Sequence, residues 1–268
     1  MYIAYVINLD VRKAYIFILF ILFISCSDED VESISLNTVA REEPAEVQVT
    51  QDTLTFTFSE GMDASLNQIR YLALGDSYTI GSGLEISESW PYQLSELISK
   101  NESEEVYSKV IAQGGITTGE LSLLVENTIM EKEFNLISIQ IGVNDQFRGD
   151  SPSQFKEKFT ELISKIRVLD SLRNARIFVV SIPDWGSTPF GINFDQNKIS
   201  NEIDLFNKTL RRICNTNNIK FINITGISRI SPTDDSLVTN DGLHPSGKMY
   251  GLWVQKIMHA INSLIVVN

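Results

Sequence analysis

Residues 136–182 read LISIQIGVNDQFRGDSPSQFKEKFTELISKIRVLDSLRNARIFVVSI, and the alternation inside this stretch decides the fold. It opens on a short apolar run, Leu136 to Ile141, and closes on another, Ile177 to Ile182, each of the length of a buried strand. Between them Phe155, Phe159, Leu162, Ile163 and Ile166 recur at the three- and four-residue steps that line one face of a helix. Ser151 and Pro152 open that helix with a hydroxyl cap and a first-turn proline. Strand, crossover helix, strand is the unit from which parallel sheets are made.

The same alternation continues outward. Ile69 to Leu74 and Val106 to Ile111 precede this unit as strand-like runs, and Ile219 to Ile224 follows it. Ile199, Ile203, Phe206, Leu210 and Ile213 mark a second helix, and a last one starts near Ser246 with Met249, Trp253 and Ile257 on its apolar side. The expectation is an α/β fold over residues 69–268, a three-layer α/β/α sandwich around a five-stranded parallel sheet. Ligands of such sheets bind beyond the carboxyl ends of the strands. Just past those ends stand Gly75-Asp76-Ser77, Gln113-Gly114-Gly115, Gly142-Val143-Asn144-Asp145, Pro183-Asp184-Trp185 and, further along the fifth loop, Asp241-Gly242-Leu243-His244.

Composition limits the function. The 268 residues carry 34 acidic against 22 basic side chains, a formal charge of -12 that repels nucleic acid and anionic membrane surfaces. At the amino end Arg12 and Lys13 precede the apolar run Ala14 to Ile24, which Ser25 and Cys26 close. That run is shorter than the roughly 20 residues of a membrane-spanning helix and has the make-up of an export signal over residues 1–26. Residues 1–11 read as an extension upstream of the true start. Phe23-Ile24-Ser25-Cys26 resembles a bacterial lipobox, although Phe23 stands where that pattern prefers leucine. The resemblance implies lipidation at Cys26, the lipid being the sole membrane contact; Ser27-Asp28-Glu29-Asp30 resembles the acidic tract that accompanies display at an outer-membrane or cell surface, the alternative being a periplasmic or secreted protein. Residues 27–68 read as an acidic tether, foremost a disordered spacer, in which only Leu54 to Phe58 alternates as a short strand would. Cys214 then has no disulfide partner and reads as core.

A serine hydroxyl attacks a carbonyl at neutral pH only when a base takes its proton, usually a histidine oriented by a carboxylate. The chain has two histidines. His259 falls inside the last helix and reads as a surface residue, which leaves His244 as base, Asp241 three residues earlier as its carboxylate and Ser77 as nucleophile. Acyl transfer also needs preorganised donors for the oxyanion. The backbone N–H groups of Ser77 and Gly115 and the side-chain amide of Asn144 are the donors available at separate strand ends. Asp76 and Asp145 read as loop braces. Trp185 and Phe190 read equally well as the lining of a substrate subsite or as loop packing.

Gly75-Asp76-Ser77-Tyr78, Gly115 in Gly-Gly-Ile-Thr-Thr, Gly142-Val143-Asn144-Asp145 and Asp241-Gly242-Leu243-His244-Pro245 together resemble the four conserved blocks of the SGNH, or GDSL, hydrolases. The resemblance spans about residues 69–264 and implies a flavodoxin-like sheet, a Ser77-His244-Asp241 set and an oxyanion hole of Ser77, Gly115 and Asn144, with neither metal nor cofactor. It implies an ester hydrolase whose substrate is a small-molecule, lipid or glycan ester, a carbohydrate ester being the first expectation. An acyltransferase, which shares the acyl-enzyme, and a non-catalytic surface binding protein are the alternatives. A two-metal phosphoesterase would need more histidines than this chain brings to the strand ends.

Overall fold

The computed structural model describes residues 47–50, 53–57, 68–102, 106–128 and 133–265. The export signal, Cys26 and most of the acidic segment lie outside the described residues.

Seven strands form one sheet in the order β1-β2-β4-β3-β5-β6-β7. They are β1 Val47–Thr50, β2 Thr53–Thr57, β3 Arg70–Gly75, β4 Tyr107–Gln113, β5 Leu136–Gln140, β6 Arg176–Val180 and β7 Lys220–Ile222. The last five are the five runs read from the sequence, and all pair in parallel. Among themselves they follow the flavodoxin-like order 2-1-3-4-5. β3 is the switch point, with β4 on one side and β5 on the other.

The two further strands fall within the segment read as a tether. β1 and β2 pair antiparallel as a hairpin, and β2 pairs antiparallel with β4, Leu54 opposite Ala112. The hairpin thereby adds to the same sheet as the five parallel strands. Strands of four and five residues that alternate with threonine and glutamine lack the apolar run that marks a buried strand. β2 lies on the open edge of β4 and β1 on the outer edge of β2, pairings that satisfy backbone groups irrespective of side chain.

Five helices of ten residues or more cover the sheet: α1 Trp90–Glu102, α2 Thr118–Asn127, α3 Pro152–Val168, α4 Gln196–Thr216 and α5 Gly247–Ile265. α1 packs with α5 as one layer, and α2, α3 and α4 pack in series as the other. Phe155, Phe159, Leu162, Ile163 and Ile166 of α3 are all buried, as their spacing requires. Each contributes about 1.5–3 kcal/mol through the apolar surface it removes from water. Phe155 stacks on Phe206 of α4 with ring centres 4.8 Å apart. Ser151 and Gln154 close a reciprocal capping box at the start of α3, and Thr117 and Glu120 do the same for α2. Cys214 is fully buried in α4, and burial pushes its thiol up to about 12. None of the described helices is long and apolar enough to cross a membrane.

Candidate active site

β3 ends at Gly75, and the chain turns at once into a four-residue helical turn, Ser77–Ile80. Asp76 caps this turn, accepting a hydrogen bond from the Tyr78 N–H at 3.0 Å, and Gly81 closes it in the left-handed region at φ 81°. An added Cβ on Gly75 would lie 2.0 Å from Thr79 Oγ1 and 2.5 Å from the Gln140 carbonyl oxygen, so a side chain there would block the turn from folding against β5. Ser77 is left half-buried at the strand exit, while Asp76 is buried. Burial pushes the Asp76 carboxyl up to about 7, against the lowering effect of the Tyr78 N–H and with the Asp145 charge adding to the rise.

The loop ahead of α5 carries the candidate base, His244. An isolated antiparallel bridge between Val238 and Pro245 ties its ends together. The Thr239 N–H donates to the His244 carbonyl at 2.8 Å. Asp241 Oδ1 accepts from the Leu243 N–H at 2.7 Å, the His244 N–H at 2.9 Å and the Thr239 hydroxyl at 2.7 Å. Its Oδ2 stands 2.6 Å from His244 Nδ1, and His244 Nε2 stands 2.9 Å from Ser77 Oγ. With Nδ1–H donating to the Asp241 carboxylate, Nε2 is the nitrogen that accepts from the Ser77 hydroxyl. Partial burial raises the Asp241 carboxyl, but the bonds from the His244 ring, the two backbone N–H groups and Thr239 outweigh it and hold the group well below the usual range. The Tyr78 ring packs against the imidazole, centres 5.3 Å apart.

The strand ends flanking β3 supply the proposed donors. Gly115 follows β4 with φ 75°, and Asn144 lies in the one-turn helix Val143–Phe147 that follows β5. Gly142 starts that helix at φ 119°, where a Cβ would press within 2.7 Å of Phe155 Cε2 and 2.8 Å of Ile182 Cδ1. The Asn144 amide donates one hydrogen to the Ile116 carbonyl at 2.9 Å. An amide nitrogen carries two, so the second remains for a ligand. Asp145, fully buried, accepts from the Thr118 N–H at 2.8 Å and the Thr118 hydroxyl at 2.9 Å, which braces the loop after β4 against the turn after β5.

The structure thus brings Ser77, His244 and Asp241 into direct contact and links Asn144 to the Gly115 loop. Trp185 it places inside: the side chain is 4% exposed, its indole N–H donates to Gln146 Oε1 at 2.8 Å, and Phe147, Phe190 and Phe194 pack around it. The outward-facing members of this cluster are Phe147 and Phe194, at 38% and 44% exposure, with Phe190 half-buried. Phe190 is tied to the histidine loop through its N–H, which donates to the Gly242 carbonyl at 2.9 Å. The sequence assigns no role to Thr239, nor to Tyr78 beyond its place beside Ser77. A threonine two residues before Asp241 is a faint signal, because hydroxyls at that spacing bond carboxylates of many turns. His259 is exposed on α5, away from this arrangement in the chain, as its place in the helix suggests.

A parallel sheet of order 2-1-3-4-5 with a serine, a histidine and an aspartate in one hydrogen-bonded line beyond its switch strand defines the class: an α/β/α hydrolase. The profile of the GDSL-like Lipase/Acylhydrolase family matches residues 73–252, and the chain belongs to that family of carboxylic ester hydrolases. It is 25% identical over 210 residues to the spore germination lipase LipC of Bacillus licheniformis, an alignment covering 72% of this chain and 96% of that one. An arylesterase of Vibrio mimicus is 29% identical over 121 residues, 45% of this chain and 58% of the relative. Among solved structures, the esterase EstA from Pseudoalteromonas shares the fold with a TM-score of 0.55 at 21% identity, covering 72% of this chain and 97% of that one.

Proposed function

We propose that Ser77 is the nucleophile of an esterase acting through an acyl-enzyme, on esters that carry an apolar acyl or aryl group. The observation that carries the mechanism is the unbroken line from Ser77 Oγ to His244 Nε2 at 2.9 Å and from His244 Nδ1 to Asp241 Oδ2 at 2.6 Å. His244 takes the serine proton as Oγ bonds to the ester carbonyl carbon. The resulting oxyanion is met by the Ser77 and Gly115 N–H groups and by the free hydrogen of the Asn144 amide. The alcohol leaves with the proton from His244, water enters, loses a proton to His244 and attacks, and the acid departs as Ser77 recovers its own.

Support for an apolar group comes from the aromatic wall beside this line. Phe147 follows Asn144 in the same one-turn helix, and the Phe190 N–H is bonded to the loop that holds His244, so the cluster is tied to the elements that carry a donor and the base. The indole N–H of Trp185, the polar handle of the cluster, points inward to Gln146, which favours a hydrocarbon or aryl group over the carbohydrate ester expected from the sequence. The 25% identity to a named lipase and the 29% identity to a named arylesterase agree with that preference. Export with lipidation at Cys26 belongs to the same reading, supported by the basic pair and apolar run before it.

The test is hydrolysis of p-nitrophenyl esters of rising chain length by the purified chain and by Ser77→Ala and Phe194→Ser. Release is expected to fall by roughly 10⁴–10⁶ in Ser77→Ala, and Phe194→Ser is expected to lower kcat/KM for long chains about tenfold while leaving acetate nearly untouched. Release that survives Ser77→Ala, or none at all from folded protein, would refute the mechanism.

A further inference from the structure

The Gly115 loop poses a positioning problem. An oxyanion donor has to point at its target before the reaction begins, yet Gly114 and Gly115 are exposed and an added Cβ on either would meet nothing within 4 Å. Packing therefore does not hold this backbone. Gly115 adds the conformational freedom of a residue at φ 75° that has no side chain.

What does hold it comes from the turn after β5. Arg148, the residue that ends the one-turn helix carrying Asn144, donates from Nη2 to the Gly115 carbonyl at 2.6 Å. Its Nη1 donates to both oxygens of Glu120, at 3.1 Å and 3.2 Å. Glu120 is itself fixed, accepting at Oε2 from the Thr117 N–H at 2.7 Å and the Thr117 hydroxyl at 2.9 Å in the capping box of α2. The guanidinium is a planar fork with five donors, so one side chain can be held by the carboxylate while it holds the carbonyl. Asn144 and Asp145 of the same turn bond Ile116 and Thr118, so three side chains within residues 144–148 grip four positions within residues 115–120.

We infer that Arg148 is a positioning residue for the reaction: it clamps the Gly115 carbonyl, on the far side of the Cα from the Gly115 N–H, and by limiting rotation about that Cα keeps the N–H and the Asn144 amide facing the same point. The inference rests on the reading of Ser77 as nucleophile and of Gly115 as an oxyanion donor. Arg148 touches no reacting atom. Its action is to limit rotation about Gly115, and losing it spreads the donor over orientations of which few serve the transition state. Arg148 and Glu120 are nearly half exposed, at 45% and 47% of their side chains, so their attraction is screened and their contribution to global stability is small. Rate and stability therefore separate at this residue.

The experiment compares the full chain with Arg148→Met, Arg148→Lys and Glu120→Gln, and takes Arg173→Met, in an exposed ion pair with Asp170, as a control. Steady-state kinetics on a p-nitrophenyl ester, thermal melting and the rate of inactivation by a phosphonate ester are measured for each. The expected result is a kcat lowered about 10- to 100-fold in Arg148→Met with KM within about twofold, and a melting temperature close to the parent. Inactivation should slow by a similar factor, because phosphonylation of Ser77 builds charge on the same oxygen. Arg148→Lys should recover part of the loss, and Glu120→Gln should show a smaller loss of the same kind. An unchanged kcat in Arg148→Met overturns the inference, as does a loss of kcat that is matched by a fall in melting temperature and restored with it in Arg148→Lys. If the parent chain itself shows no Ser77-dependent turnover, it is the proposed function that fails.

Discussion

At Gly75 an added Cβ would stand 2.0 Å from Thr79 Oγ1, whereas at Gly115 it would meet nothing within 4 Å. Both glycines stand at or just past the end of a strand beside the switch point, and each precedes a residue on which the chemistry depends or is one itself. The nucleophile turn is pressed between β5 and the core, with Asp76, Tyr78 and Thr79 all buried around a half-exposed Ser77. The donor loop after β4 is open to solvent and takes its shape from hydrogen bonds to Asn144, Asp145 and Arg148. The difference teaches that the proposed nucleophile is positioned by packing, which is shared with the stability of the whole domain, and the proposed donor by local polar ties, which are not.

The largest effect that would sharpen this contrast is expected at Asn144. Asn144→Ala should lower kcat by about 10²–10³ by removing one oxyanion donor. It should cost only about 1 kcal/mol of stability through the lost bond to Ile116, a shift of roughly 2–4 °C. A collapse of melting alongside activity would show that the donor side is part of the core after all.

A paired experiment on the glycines tests the contrast directly. Gly75→Ala is expected to destabilise by about 3 kcal/mol or more, since backbone and a buried threonine must move. Gly115→Ala adds only the strain of a left-handed residue, about 1 kcal/mol, and its main effect should be on kcat. Equal melting temperatures for the two variants would break the comparison.

A further effect concerns charge in the turn after β3. Burial raises the Asp76 carboxyl from the ordinary 3.8 to about 7 in the folded protein. Between those values the folded state binds a proton that the unfolded state has released, so the contribution of this group is full below about pH 4 and is lost as pH rises through about 7. Asp76→Asn keeps the acceptor for the Tyr78 N–H and removes the titration. The stability of the parent relative to this variant should therefore fall between pH 5 and pH 8, as melts at both values would show, and a constant difference would mean that Asp76 is not desolvated as its burial implies.

Much of this arrangement was legible in the chain. The five parallel strands could be read because strands buried on both faces need continuous apolar runs, and α3 could be read because its buried face repeats at helical spacing. Asp241 and His244 could be paired because three residues separate them in one turn, and Ser77 because so few histidines exist to serve it. The hairpin at Val47–Thr57 was not legible as two strands, since its place depends on the free edge of β4 rather than on its own side chains. The direction in which Trp185 points was equally hidden: a tryptophan in a loop turns inward only if a partner such as Gln146 waits for its N–H. Arg148 carried no signal, because an arginine after a short polar turn is commonplace and its partner Glu120 lies in a different crossover.

The sequence by itself determined the five parallel strands, the helices α3, α4 and α5 and the identity of the groups at the strand ends, because these depend on apolar periodicity and on which side chains can do acyl chemistry. The tertiary structure alone decided that β3 lies between β4 and β5, and hence that Ser77, Gly115 and Asn144 come from adjoining strand ends. It also decided that the loop before α5 brings His244 within 2.9 Å of a serine 167 positions earlier. The physical reason is that strand order and loop closure arise from contacts between residues far apart in the chain, whose partners no local pattern names.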